Sequence, residues 1–147
     1  MAKAKGKVER PSLAWQGANY PRVAPGNYEA VCVGWQGPDW VRRYHRWSLR
    51  LEFCLLSEGE CVSGFFNMGS SKRKFDIGPR SRFRRVWTLA NGEMPRKGQQ
   101  MTLETFTDEG LLYVVKVADA VNDDEDQAKP DALIYSRVIE VLGVQRK

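Results

Sequence analysis

The chain has 147 residues, of which 42 % are apolar and 28 % charged, with a formal net charge of +5. That is enough for one domain with its own core, and no apolar run approaches the roughly 20 residues a membrane-spanning helix requires. The charge is uneven: residues 1–97 hold 18 Lys/Arg against 8 Asp/Glu, and residues 98–147 hold 5 against 10, a division that steers an anionic partner to one part of the surface.

Residues 1–20, beginning "MAKAKGKVERP", carry Lys3, Lys5, Lys7 and Arg10 and no apolar period. They read as a flexible basic arm, and Pro21 and Pro25 as an extended lead-in to a single domain over 21–147. No apolar stretch follows the basic residues as it does in a secretory signal, so a cytoplasmic protein is expected. The first strand is predicted over Tyr28 to Trp35, rich in β-branched and aromatic residues, with Gly34, Gly37 and Pro38 ending it.

Next comes "DWVRRYHRWSLRLEF" at 39–53, where alternation can be counted. Trp47, Leu49, Leu51, Phe53 and Leu55 share one parity; Tyr44, Arg46, Ser48, Arg50 and Glu52 share the other. A period of two with one apolar and one cationic face is a strand. Ser57-Glu58-Gly59 is a turn and "ECVSGFFNM" a third strand completing a hairpin, in which either Phe65 or Phe66 faces outward. "GSSKRKFDIGP" at 69–79 is a basic loop. The period then changes: Phe83, Val86, Trp87 and Ala90 form the stripe of an amphipathic helix, started by Ser81 or Gly78-Pro79 and ended by Asn91-Gly92 in the left-handed conformation. Arg82, Arg84 and Arg85 take its other face. "MTLETF" is compatible with one helical turn capped by Thr102. "LLYVVKVAD" is apolar almost throughout and is expected to be a strand buried on nearly both faces. "ALIYSRVIEVL" is a last strand with room for a helical ending, and the acidic run "NDDEDQAKPD" at 122–131 connects the two.

The predicted fold is therefore mainly β: a five-stranded OB-fold-like barrel with one helix between strands 3 and 4. Cys32, Cys54 and Cys61 are odd in number and lack a C-x2-C pair, so they read as small buried side chains rather than a disulfide framework or a zinc site with His45. One His, no nucleophile–base spacing and no phosphate-cradling glycine loop give no support to catalysis, so the chain is not read as an enzyme, and no cofactor or metal is expected. The carboxylates of 123–126 lack calcium-loop spacing.

What the residues do support is a flat, anionic ligand. Arginine supplies forked donors for phosphate, and exposed rings supply platforms for bases. Trp40, Arg42, Arg43, Tyr44, Arg46 and Arg50 form the first candidate group, Lys72, Arg73, Lys74 and Phe75 a second, with Phe65, Arg80 and Arg82 beside them. Trp47 and Trp87 belong to apolar stripes and are expected in the core. In an OB barrel the second and third strands and their loops make the usual ligand face.

Several short stretches bear on this: "PGNYEA" at 25–30, "LRLEFCLL" at 49–56, Gly59, "GFFNM" at 64–68, "RFRRVWTLA" in the helical segment and "IYSRV" in the last strand. Together, over roughly residues 21–142, they resemble the small single-stranded-DNA-binding proteins of bacteriophages and other mobile elements. The resemblance implies an OB-fold protein that binds single-stranded DNA without sequence preference in replication or recombination. The expected partner is single-stranded DNA, with a second copy of the chain and a replication or recombination protein as further candidates; the absence of a long apolar run gives no membrane partner. Housekeeping single-strand binders end in an acidic tail that recruits partners, whereas "GVQRK" ends this chain with basic residues. Two other readings share these features: RNA binding, and an adaptor or inhibitor that docks on a protein through the barrel and the acidic 122–131 run.

Overall fold

The computed structural model describes residues 21–75, 77–78, 80–120 and 135–146. The expected arm at 1–20 and the acidic run at 122–131 lie outside the described residues. Five strands close into a barrel in the order β1-β2-β3-β5-β4, with β4 returning to β1. They are β1 (Gly26–Val41), β2 (Arg46–Leu55), β3 (Cys61–Asn67), β4 (Leu111–Ala120) and β5 (Tyr135–Arg146). The helix α1 (Arg82–Asn91) lies between β3 and β4 in sequence, and short 3-10 turns occupy Arg42–Tyr44 and Glu104–Thr107. This is the OB-fold-like architecture expected from the order of elements. Among the described residues no helix is long and apolar enough to cross a membrane.

The alternation counted in β2 decides which side faces in. Leu49, Leu51, Phe53 and Leu55 are buried, while Arg46, Ser48, Arg50 and Glu52 lie outside. In β3 the same rule buries Phe66 and leaves Phe65 40 % exposed, which resolves the choice between them. Phe53 and Tyr113 meet edge to face at 5.3 Å in the interior. The Tyr113 hydroxyl donates to the Phe106 carbonyl at 2.8 Å, so its buried oxygen is satisfied. The helix buries Phe83, Val86, Trp87 and Ala90, as its stripe requires. Its N-cap is Ser81, whose side chain accepts from the Arg84 amide at 3.0 Å. Gly92 ends the helix at φ +80.

Several expectations are corrected. β1 does not stop near Trp35 but runs on to Val41, passing through a cis Gly37–Pro38 bond. Register shifts between Cys32 and Gly34 and between Gln36 and Asp39 let the chain absorb these residues and resume pairing, with Trp40 opposite Trp47. Gly37 has φ +92, and an added Cβ would stand 2.8 Å from the Asp39 nitrogen, so only glycine fits there. β4 alternates instead of being buried on both faces: Leu111, Tyr113, Val115 and Val117 point in, while Lys116 is exposed. β5 is strand to its end, without a helical ending. The single turn is shifted to Glu104–Thr107, and Leu103, not Thr102, precedes it.

Cys54 and Cys61 are also not separate thiols. The hairpin turn sets them directly opposite on β2 and β3, and the two sulfurs are bonded. Odd count and linear spacing hide a pairing that strand register creates. Cys32 remains a buried free thiol, and burial pushes it up to about 11.

Candidate nucleic-acid interface

The outer face of β2 and β3 is built from opposed pairs. Arg50 faces Phe65, Ser48 faces Asn67, and Glu52 faces Ser63. Arg50 does not wave in solvent: its Nε donates to Ser63 Oγ at 2.7 Å and a terminal nitrogen donates to Gln36 Oε1 at 3.3 Å. Its guanidinium is thereby laid across three strands beside the exposed Phe65 ring.

Toward the other end of β2, Arg46, Phe65, Arg80 and Arg82 line one cleft of about 590 Å³ with Ser48, Phe66, Asn67, Gly69, Gly78 and Ser81. No Asp or Glu is among these lining residues. Arg46 stands 4.9 Å from the centre of the Tyr44 ring, a cation–π contact that brings Tyr44 to the same edge. Arg82 lies 5.3 Å from the centre of the Phe66 ring and donates to the Ile139 carbonyl. The cleft thus sets an exposed ring, Phe65, in one lining with Arg46, Arg80 and Arg82.

A second group forms at the β1–β2 tip. Trp40, Arg42, Arg43 and Lys72 line a shallow depression with His45, and the Lys72 ammonium sits 5.5 Å from the centre of the Trp40 ring. The bend is made by the 3-10 turn Arg42–Tyr44 and by His45 in the left-handed region at φ 50. Trp40, half-buried, is not in a turn after Pro38: it packs edge-on against Trp47 at 5.4 Å, and Trp47 packs edge-on against Phe75 at 5.2 Å. Trp47 is half-buried rather than fully in the core, and its Nε1 donates to the Ser71 carbonyl at 2.8 Å. This aromatic row ties the 69–75 loop to the barrel, leaving Phe75 49 % exposed.

The structure therefore brings Arg46, Phe65, Arg80 and Arg82 together, and Trp40, Arg42, Arg43 and Lys72 together. Arg73 and Lys74 are exposed on the loop but line neither depression. On the helix, Arg85 pairs with Glu140 at 3.3 Å, which makes it a solvated ion pair rather than a free cation. Sequence reasoning missed Arg137. It is exposed on β5 and lines a smaller cleft with Arg46, Phe65, Arg82, Val138 and Ile139. Only the meeting of β3 with β5 brings it there, and no local pattern signals that. It also passed over His45, Gln36 and Ser63. A lone histidine carries no pattern, and the other two act by accepting hydrogen bonds from Arg50.

No family model and no curated protein matches the chain.

Proposed function

We propose that this protein binds single-stranded DNA without sequence preference and serves the replication or recombination of a phage or other mobile element. The observation that carries the reading is the exposed Phe65 ring set among Arg46, Arg50 and Arg82, in a cleft whose lining contains no carboxylate. A ring of this kind accepts any base, because every base has a π-face, and stacking contributes roughly 1–3 kcal/mol per base. Arginines on either side fit the phosphates that flank a stacked base. A duplex keeps its bases paired and stacked, so it offers the ring nothing. The resemblance in the strand and helix segments supports the same reading, and the association with mobile elements rests on it alone. The reading is of a binding protein without catalytic chemistry or cofactor.

Fluorescence-anisotropy titrations with oligo-dT, duplex DNA of the same length and a matched RNA oligomer test it. Tighter binding to oligo-dT than to duplex is expected, with a log–log salt slope near −0.7 per phosphate contact. Equal or better affinity for duplex contradicts the proposal. Preference for the RNA oligomer would move the ligand from DNA to RNA while leaving the site in place.

A further inference from the structure

The outer face of β2 and β3 does not end at β3. β3 meets β5 in parallel at Gly64 and Val138, and beside this seam a cleft of about 170 Å³ runs from Arg46 and Phe65 to Arg82 and Arg137. The seam closes because residue 64 has no side chain: a Cβ there would stand 3.3 Å from that of Val138. One residue before Val138, Arg137 emerges on the outside of the barrel.

Two guanidinium groups from different elements therefore share one small cleft. Arg82 is fixed in place by its donation to the Ile139 carbonyl and by the Phe66 ring beneath it. Burial holds its pKa below the ordinary value, and the charge of Arg137 lowers it further. Glu140 acts in the opposite sense, but its carboxylate is engaged by Arg85 at 3.3 Å. Among the described residues neither Arg82 nor Arg137 is in a salt bridge. Two like charges held together at such a place are relieved by an anion between them, and the adjacent Phe65 ring indicates which anion.

We propose that Arg82 and Arg137 clamp a backbone phosphate of the nucleotide whose base stacks on Phe65, so that the bound strand crosses from β2 over β3 to β5. This rests on the single-strand-binding reading and adds a phosphate-binding residue, Arg137, on a strand outside the usual ligand face.

The test measures oligo-dT affinity across a salt series for the wild type, Arg137→Ala, Arg137→Lys and, as a control on the outer face of β4, Lys116→Ala. Arg82 still holds the phosphate in Arg137→Ala, so the magnitude of the log–log salt slope is expected to fall by part of the roughly 0.7 that a whole phosphate contact contributes. Its affinity falls several-fold at low salt and approaches that of the wild type at high salt. Arg137→Lys restores most of the slope, and Lys116→Ala leaves it unchanged. If the wild type binds and Arg137→Ala keeps the wild-type slope, the clamp is wrong and the single-strand reading stands. If the wild type does not bind oligo-dT at all, both fall together.

Discussion

Arg50 of β2 and Phe65 of β3 stand directly opposite each other on the outside of the barrel, and two hydrogen bonds hold the arginine down while the ring remains 40 % exposed. The pair joins a fixed cation to an open π-face. Removing the ring tests its stacking role with little disturbance of the interior, because Phe65 lies on the outer face of β3 while Phe66 takes the core side. Phe65→Ala is expected to weaken oligo-dT binding by about 1–3 kcal/mol, roughly five- to 150-fold in Kd. The thermal midpoint should stay close to wild type. An unchanged Kd in anisotropy would remove Phe65 from the interface.

The two tryptophans at the β1–β2 tip should part company under mutation. Trp47 links Trp40, Phe75 and the Ser71 carbonyl. Trp47→Ala should cost somewhat less than the roughly 3–5 kcal/mol of a fully buried aromatic truncation, since the ring is half-buried. Urea unfolding followed by circular dichroism reads that loss. The combined Trp40→Ala, Arg42→Ala, Arg43→Ala variant should lose less stability and more oligo-dT affinity. The reverse ordering would make the tip a structural feature only.

The barrel seam gives a packing prediction. A methyl at residue 64 would meet Val138 Cβ at 3.3 Å and the Phe53 and Phe66 rings at 3.5 Å. Those neighbours come from three strands and have little room to yield. Gly64→Val is expected to destabilise by about 1–3 kcal/mol through overpacking, read as a lower urea midpoint. A midpoint equal to wild type would mean that β3 and β5 are less tightly apposed than described.

Stability should fall on the alkaline side for an identifiable reason. Burial raises Cys32 from 9.0 to about 11, with the nearby Glu52 carboxylate adding to the shift. Between those values the unfolded chain has released the thiol proton and the folded chain retains it. Folding stability is therefore fully present below pH 9 and declines as pH rises toward 11. The buried Tyr113 hydroxyl, raised mainly by burial from its ordinary value of 10.0, acts in the same direction from about pH 10 upward. Cys32→Ala should flatten the decline between pH 9 and 11 in a series of urea melts. An identical slope in wild type and variant would assign the decline to other groups.

What could be read from the residues follows from the range of the forces involved. The alternation of β2 and the Phe83–Ala90 stripe are local consequences of one buried face, and both appear in the barrel as expected. Gly37-Pro38 has the composition of a terminator, yet β1 runs through it to Val41. Register shifts in a pairing with β2, which a linear reading does not contain, carry the strand past it. β4 is so apolar that its outward residues look like core, although they lie only partly covered on the outer wall. Arg137 and the Cys54–Cys61 bond depend on which strands become neighbours. The first joins elements more than 70 residues apart (64 and 138), and the second needs the register of a hairpin.

In the proposed binding mode a single strand lies across β2 and β3 with a base on Phe65. Mapping backbone amide chemical shifts while oligo-dT is added to the isotopically labelled protein tests it most directly. Perturbations are expected to concentrate at 46–50, 63–67 and 80–82 and to reach Arg137 and the Trp40–His45 tip. Perturbations confined to the outer face of β4, or no perturbation at saturating oligomer, would contradict it.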